Sequence, residues 1–473
     1  MNINLPIKKA VLLVIITIQT ALVYSQVSVQ SDTPLSPAGK WEGKLQLPTA
    51  SLRIFIQIEE TAPGKFRASL ASPDQGANNI PVESVNWRND SLFLDVKAVN
   101  GTYTAKLSAD KKQFDGVWKQ GPAALPLVVQ RVETLEFSKK RPQDPQKPYP
   151  YREEEVQYEN KTAAVSLGAT LTLPQGKGPF PVVVLISGSG PQNRDSEIMG
   201  HKPFLVMADY LTRLGIAVLR VDDRGVGKST GDAGTATSAD NAGDVTASLN
   251  YLKSRADIDK KKIGLIGHSE GGMIAPVVAS QSKDLAFVVL LAGVGLPGDQ
   301  LHRRQMEDIM RMGQVSEGDI QKMLSLNEKL YAVIKAEKGT VIIEDKLTEV
   351  VKATAPADAA GMAQFVKALS QPWLRYFIGF NPAPYLEKVN CPVLALNGSK
   401  DIQVAAKENL AAIEKALKQG GNKKVTVKEI PGLNHLFQTS KTGSVLEYSS
   451  IDETFSPVAL KIIGDWIAEI VKL

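Results

Sequence analysis

A series of continuous apolar runs beyond residue 160 most constrains what this chain can fold into. The runs have the length of strands and cover residues 181–186, 216–219, 263–266, 287–291 and 393–396. Apolar character on both faces is typical of parallel strands that helices cover from both sides. Stretches of helical spacing lie between most of them, for example at 204–214 and 242–254. The pattern predicts an α/β fold with a doubly wound, mostly parallel sheet, whose functional groups gather at the carboxyl ends of the strands.

The composition is typical of a globular protein and limits the classes of partner that we expect. The 473 residues are 43% hydrophobic and 22% charged, which suffices for a large core. A net charge of +5, with basic and acidic residues interspersed, gives no reason to expect nucleic acid as a partner. The single cysteine, Cys391, excludes an intrachain disulfide, and four scattered histidines do not predict a metal site. We therefore expect no metal and no organic cofactor.

The amino terminus has the pattern of an export signal. Lys8 and Lys9 precede an apolar run at residues 10–23, and small or neutral residues follow it. This order is typical of a cleavable signal peptide over residues 1–25. Polar residues such as Gln19 interrupt the run, which is shorter than a transmembrane helix needs. The sequence predicts a secreted or periplasmic protein with no membrane span in its mature form.

Residues 26–133 have a different periodicity. Short runs of alternating polarity, such as 52–58, are separated there by turn clusters. They predict a small all-β antiparallel domain, a barrel or a sandwich, with Trp41 and Trp118 closing its core. The polar, proline-bearing stretch that follows, residues 134–154, is predicted to be an extended linker.

Residues 155–296 and 386–473 form the predicted α/β core. The residues between them, 297–385, have mainly helical spacing and an aromatic cluster that includes Trp373. An insertion between two parallel strands lies over their carboxyl ends, so we expect a helical lid that excludes water and contacts the substrate. Trp373 is a candidate for the wall of the pocket, although an aromatic stripe on such a helix more often forms the core of the lid.

The most specific motif directly follows the apolar run at 263–266. It reads Gly267-His268-Ser269-Glu270-Gly271-Gly272, a G-x-S-x-G sequence between a strand and a helix. Its glycines let the strand and the helix approach closely around a nucleophile on a strained turn. The helix N-terminus favours negative charge that develops nearby. The motif predicts Ser269 as a nucleophile.

A serine nucleophile needs a base, and the base needs an acid that orients it. In this architecture the three residues occur in the order serine, carboxylate, histidine. Asp401 lies in the loop after the run at 393–396, and His435 follows the next predicted strand. No other histidine follows Asp401 in the chain. The order predicts Asp401 as the acid and His435 as the base.

A hydrolase of this type also needs an oxyanion hole. One donor is expected to be the backbone N–H after the nucleophile, that of Glu270. The second is expected in the loop at 187–191, from Ser189, with its neighbour Gly190 as the residue that could replace it. His268 and Gly190 are further candidates for the pocket lining. Two roles stay open for the Glu270 side chain, shaping the pocket and making a structural hydrogen bond.

The stretch 222–229 has the sequence ending of a phosphate-binding loop, Gly227-Lys228-Ser229. The phosphate-binding motif needs a glycine five positions before Gly227, and the chain has Asp222 there. We interpret the stretch as a tight loop that braces the site, in which Arg224 pairs with a carboxylate.

Residues 155–473 resemble the α/β-hydrolase superfamily, and more closely bacterial secreted serine esterases with the same Gly-His-Ser-Glu-Gly-Gly elbow. The resemblance also rests on the stretches 187–195, 223–229 and 431–438. It implies Ser269 as nucleophile, Asp401 as acid and His435 as base. Ser187-Gly188 is a departure, since many relatives have His-Gly at this point. The all-β domain resembles the amino-terminal domains of similar exported hydrolases.

These observations predict the hydrolysis of small-molecule carboxylic esters through an acyl-enzyme. The alternative is a peptidase or amidase of the same fold that acts on short peptides, because the same triad serves both reactions. Recognition of a peptide amine would need an inward-pointing lid carboxylate such as Glu307, Asp308 or Glu317. The third hypothesis, a non-catalytic glycan- or surface-binding protein, is disfavoured by the complete set of triad residues. The oligomeric state stays open.

Overall fold

The computed structural model describes residues 36–47, 51–75, 77–121, 123–137, 141–337, 339–354 and 359–473. The predicted signal peptide, residues 1–25, lies outside this part of the chain. None of the helices in the described ranges is long and apolar enough to cross a lipid bilayer.

The first sheet is antiparallel throughout and confirms the predicted all-β domain. Its nine strands follow the spatial order β4-β3-β2-β1-β9-β8-β7-β6-β5. They are β1 (Gly39–Gln46), β2 (Ser51–Ala62), β3 (Lys65–Ser72), β4 (Ala77–Pro81), β5 (Ser84–Arg88), β6 (Ser91–Val96), β7 (Gly101–Leu107), β8 (Gln113–Gln120) and β9 (Ala123–Val132). Strand β3 also contacts β5, so the sheet curls upon itself.

Aromatic side chains fill the inside of this curled sheet. Trp41, Tyr103 and Phe114 are fully buried, and Trp118 belongs to the same cluster. The Tyr103 hydroxyl donates to the carbonyl oxygen of Leu127 at 2.9 Å, which satisfies its polar atom inside the core. The predicted core role of Trp41 and Trp118 is confirmed.

The second sheet has eight strands in the order β10-β11-β13-β12-β14-β15-β16-β17. They are β10 (Arg152–Asn160), β11 (Val165–Leu173), β12 (Phe180–Ile186), β13 (Ala217–Val221), β14 (Ile258–His268), β15 (Phe287–Leu291), β16 (Val393–Gly398) and β17 (Val425–Ile430). Strands β10 and β11 are antiparallel to their neighbours, and all other pairs are parallel. The predicted doubly wound, mostly parallel sheet is confirmed.

Helices cover both faces of this sheet. The helices outside the lid are α1 (Pro203–Arg213), α2 (Ser238–Ser254), α3 (Gly271–Gln281), α10 (Ala406–Gln419) and α11 (Pro457–Val471). Strand β12 shows why both faces are apolar: Val183 and Leu185 belong to the apolar cluster that includes residues of α1 and α11, whereas Val184 and Ile186 belong to the cluster that includes residues of α2, α3 and α10. Alternate residues of one strand thus enter two separate cores.

The residues between β15 and β16 are helical. Their helices are α4 (Gly298–Met312), α5 (Glu317–Ala336), α6 (Thr340–Thr354), α7 (Ala359–Leu369), α8 (Pro372–Gly379) and α9 (Ala383–Leu386). Helix α8 contacts α4, α5 and α2, so it joins this insertion to the core. We use the word lid for helices α4 to α8.

The stretch predicted as an extended linker is partly folded. Strand β10 begins at Arg152, and the Arg141 side chain is only 1% exposed. Its guanidinium donates to the carbonyl oxygens of Met199, Ser449 and Ile451 at 2.7–3.0 Å. The polar composition of the stretch suggested little burial, but carbonyl groups of distant loops accept both terminal nitrogens of the arginine.

Candidate active site

Ser269 lies on the sharp turn between β14 and α3. Its φ is 56°, a left-handed conformation that is strained for a residue other than glycine. A Cβ on Gly267 would lie 2.0 Å from the Gly271 carbonyl oxygen, and a Cβ on Gly271 would lie 2.2 Å from that of Ile186. Only glycine fits at either position. Helix α3 begins two residues after Ser269, so the N–H groups of its first turn face the serine.

Asp401 and His435 share a buried hydrogen bond. The Nδ1–H of His435 donates to Oδ2 of Asp401 at 2.8 Å. The other carboxylate oxygen accepts the N–H groups of Gln403 and Val404 at 2.8 and 2.9 Å. The Asp401 side chain has no exposed surface, and that of His435 is 6% exposed. Because Nδ1 holds the proton, Nε2 of the neutral imidazole has the free lone pair that a general base needs.

Asn434 shapes the loop that presents His435. Its Oδ1 accepts the N–H groups of Leu436 and Gln438 at 3.0 and 2.9 Å, and its Nδ2 donates to the side chain of Gln438 at 3.0 Å. Asn434 is not among the residues predicted from the sequence. The signal was present, because asparagine commonly bonds to the backbone of its own turn.

His268 joins the elbow to the loop of His435. Its Nε2–H donates to the backbone carbonyl oxygen of His435 at 2.8 Å, and the two rings lie 4.9 Å apart. Burial, and to a smaller extent the neighbouring His435, lower the pKa of His268 to about 4. The ring is therefore neutral at ordinary pH. This contact brings the segment of Ser269 together with that of His435.

The loop after β12 lies against the nucleophile. A Cβ on Gly188 would stand 3.4 Å from the Cβ of Ser269, an ordinary van der Waals distance. Ser189 and Gly190 follow it and are exposed, and Gly190 has a φ of 85°. Both predicted candidates for the second oxyanion donor thus lie in a loop adjacent to the nucleophile.

The Glu270 side chain makes a structural contact. It is 3% exposed, and its carboxylate accepts the hydroxyl of Ser238 at 2.6 Å. Burial raises the pKa of Glu270, against the opposing effect of the Ser238 hydroxyl and the Trp373 indole. Trp373, on lid helix α8, thus lies close to the elbow, and its ring stacks on Phe377 at 5.4 Å. Glu270 and Trp373 lie close together where the elbow meets the lid.

Two cavities lie near these groups. One of about 630 Å³ is lined by Asp401, by the end of α4 and by the start of α10, and its walls include both acidic and basic side chains. Neither Ser269 nor His435 lines it. A smaller cavity of about 40 Å³ lies beneath the loop after β12 and is lined by Ser187 and Asp223. Within the described ranges, no group of three or more His, Cys, Asp or Glu residues could hold a metal ion.

The stretch 222–229 is a compact loop at the end of β13. Arg224 donates through Nε and Nη2 to both carboxylate oxygens of Asp244 at 2.7 and 2.9 Å. The predicted internal pairing of Arg224 is confirmed. The Ser229 hydroxyl donates to the Asp222 carbonyl oxygen at 2.7 Å, so the stretch closes upon itself instead of leaving its groups open for a phosphate.

The strand order, the elbow after a central parallel strand and the helical insertion define an α/β hydrolase of the serine type. Comparison with protein families leads further: the model for X-Pro dipeptidyl-peptidase (S15 family) matches residues 163–430, more than half of the chain. The chain belongs to this family.

Curated relatives include esterase EstD from Thermotoga maritima. It is 29% identical over 283 residues, which are 59% of this chain and 60% of EstD. An uncharacterized 31.7 kDa protein from Escherichia coli is 23% identical over 50% of this chain and 77% of its own length. The match thus spans less than two thirds of EstD.

Solved structures with a similar chain trace include an esterase from Pyrococcus furiosus, with a TM-score of 0.42, 16% identity and coverage of 68% of this chain and 91% of that one. The α/β hydrolase GrgF from Penicillium has a TM-score of 0.44, 15% identity and coverage of 68% and 100%.

Proposed function

We propose that this protein hydrolyses carboxylic esters through an acyl-enzyme on Ser269. The hydrogen bond between His435 and Asp401, with the carboxylate fully buried, is the observation that supports this most strongly. It leaves Nε2 of His435 to remove the proton of Ser269 as its Oγ attacks the ester carbonyl. The same nitrogen then protonates the departing alcohol. Water releases the acid by the reverse sequence of proton transfers.

The oxyanion of each tetrahedral intermediate needs donors that are already in place. We propose the backbone N–H of Glu270, at the start of α3, as the first of them. The second comes from Ser189 or Gly190, in the loop whose Gly188 lies against Ser269. The left-handed φ of Ser269, 56°, is typical of a nucleophile on a sharp strand-to-helix turn.

Ion pairs within the lid favour esters over peptides with a free amine. The lid carboxylates named above already have cationic partners: Glu307 and Glu317 pair with Arg311 at 2.8 and 3.0 Å, and Asp308 pairs with Arg304 at 2.9 Å. A substrate amine at any one of them would have to compete with an arginine. The similarity to EstD, named as an esterase, points in the same direction.

A second candidate is the release of dipeptides from substrates with proline at the second position. The match to the X-Pro dipeptidyl-peptidase family favours it. The proposed triad and oxyanion donors would serve an amide as well as an ester. Substrate preference therefore separates the two candidates, whereas substitution of the triad does not.

The test compares two substrate series on one enzyme. We would measure kcat and KM for p-nitrophenyl esters from acetyl to dodecanoyl, and for aminoacyl and X-Pro p-nitroanilides. Ser269→Ala is expected to lower turnover by on the order of a millionfold. The matched control is Ser280→Ala on helix α3, which follows Ser269; the Ser280 hydroxyl donates to the Val277 carbonyl oxygen. It should keep wild-type rates.

Ester cleavage that disappears in Ser269→Ala and persists in Ser280→Ala is the expected result. Faster cleavage of X-Pro anilides than of every ester would contradict the esterase and support the peptidase. Wild-type rates in Ser269→Ala would exclude the serine mechanism altogether.

A further inference from the structure

Asp223 binds both ends of the loop that follows β12. Its Oδ1 accepts the Ser187 hydroxyl at 2.7 Å, and its Oδ2 accepts the Gln192 N–H at 2.9 Å. The backbone N–H of Asp223 donates in turn to the Gln192 carbonyl oxygen at 3.1 Å. Strands β12 and β13 are parallel neighbours, so residues at their carboxyl ends meet at the same edge of the sheet. One side chain thus closes the loop from Ser187 to Gln192 into a ring.

Asp222 holds the next part of the same loop. Its carboxylate accepts the backbone N–H of Arg194 at 2.8 Å and the Arg194 guanidinium at 2.6 and 3.1 Å. It also accepts the Lys228 N–H at 2.9 Å, which ties the compact loop at 222–229 to the arrangement. The two consecutive aspartates therefore fix residues 187–194 to the end of β13.

The enclosed residues have few other restraints. Ser189 and Gly190 are exposed, and the Ser189 carbonyl oxygen accepts only the Gln192 side chain, at 3.2 Å. An oxyanion donor contributes fully only if it is fixed before the reaction starts. We propose that Asp223 is a positioning residue that fixes the oxyanion donor of this loop opposite Ser269. This inference rests on the acyl transfer proposed above.

A carboxylate at this position is unfavourable for stability alone. Asp223 lies near the carboxylates of Glu270 and Asp244, and burial raises the pKa of Asp223 to about 7. Asp223→Asn keeps one acceptor oxygen and turns an amide group towards the other donor, so the Gln192 N–H or the Ser187 hydroxyl loses its acceptor. The variant removes a buried charge, so a large loss of stability is not expected. A fall in kcat without such a loss separates positioning from a merely structural role.

The test measures ester turnover and the rate at which a fluorophosphonate inactivates the protein. In the second reaction Ser269 Oγ bonds to phosphorus, the P–F bond breaks, and the serine proton passes to His435 as fluoride leaves. Asp223→Asn is expected to lower kcat and the inactivation rate in parallel, by about tenfold to hundredfold, with KM within about twofold. Ser187→Ala, which deletes one of the two donors, should show a smaller fall of the same kind.

Asp209→Asn is the matched control. Asp209 lies on helix α1 and also accepts one hydroxyl, that of Tyr151, and one N–H, the Nε–H of Arg213. The substitution should leave both rates unchanged. The inference is overturned if Asp223→Asn keeps wild-type kcat and inactivation rate while folded, or if KM alone changes. If Asp223→Asn does not fold, the kcat and the inactivation rate of Ser187→Ala test the inference instead. Labelling of Ser269 in a protein that cleaves no ester would contradict the proposed esterase and still test Asp223 through the inactivation rate.

Discussion

At the scale of single residues, His268 is the contact between the nucleophile segment and the base segment. Its Nε2–H holds the backbone of His435 at 2.8 Å. We expect His268→Ala to lower kcat by about tenfold to hundredfold, because small displacements of a catalytic group are costly. His268→Gln, which has a donor of similar reach, should recover part of the loss. Burial keeps the pKa of His268 near 4, so the effect should be constant from pH 6 to 9.

Steady-state rates of both variants on the best ester, beside their melting temperatures, check this prediction. A deficit in His268→Ala that equals its loss of folded protein would contradict a positioning role. So would a His268→Gln variant as slow as His268→Ala.

The sequence predicted the groups that carry chemistry better than the groups that hold them. The order of residues along the chain paired Asp401 with His435, and their side chains are hydrogen-bonded in the structure. The contacts of His268 and Asp223 could not be predicted from the sequence. They join residues 167 and 36 positions apart, through geometry that exists only once neighbouring strands are aligned.

At the scale of elements, the lid contains a partly buried histidine that makes its stability depend on pH. His302 on α4 shares a hydrogen bond with the Tyr331 hydroxyl on α5, and burial lowers the pKa of His302 to about 4. In the unfolded chain this pKa is about 6.5. The unfolded state therefore binds more protons between these values, so His302 makes stability rise with pH from about 4 to about 6.5.

We expect His302→Gln to flatten that rise. The free energy of unfolding should increase with pH less steeply than in wild type. The two slopes should differ by up to about 1.4 kcal/mol per pH unit, the value for one proton. Urea unfolding at pH 4.5, 5.5, 6.5 and 7.5 measures it, and both curves should run parallel above pH 6.5. Identical slopes in the two proteins would show that His302 titrates normally in the folded state.

Element prediction succeeded where burial was two-sided and failed at one edge of the sheet, at β10. The continuous apolar runs predicted β12 to β16 because both faces of these strands are buried. Strand β10 was missed: it begins with Arg152 and three glutamates, a composition that suggests a linker. Its register against β11 and its ion pairs, such as Arg194 with Glu155 at 2.7 Å, hold this charged sequence in the sheet. Sequence periodicity does not contain that information.

At the scale of the whole molecule, the segment between the two sheets is part of the second domain's structure. Arg141 donates to three backbone carbonyl groups in two loops, and one of these loops, which contains Ser449 and Ile451, follows the loop of His435. Gln143 adds contacts to Phe455, donating to its carbonyl oxygen at 2.8 Å and accepting its N–H at 3.0 Å. The segment thus fastens the loop that follows that of His435.

Arg141→Ala should therefore destabilise the protein and not merely loosen its first domain. It leaves three part-buried carbonyl groups without this donor, and a group left unpaired costs about 1–3 kcal/mol, so a loss of at least about 1 kcal/mol is expected. The matched control is Arg152→Ala, since Arg152 is 48% exposed and its ion pairs are 3.6 and 3.8 Å long. That variant should change stability by no more than about 0.5 kcal/mol.

Urea unfolding followed by tryptophan fluorescence and by ester turnover distinguishes the two outcomes. If the segment fastens the loop after His435, turnover in Arg141→Ala should be lost at a lower urea concentration than in wild type, together with the fluorescence change of the second domain. If the segment only connects the two sheets, Arg141→Ala and Arg152→Ala should have the same midpoints of urea unfolding. A stable Arg141→Ala variant would mean that water replaces the guanidinium at all three carbonyl groups.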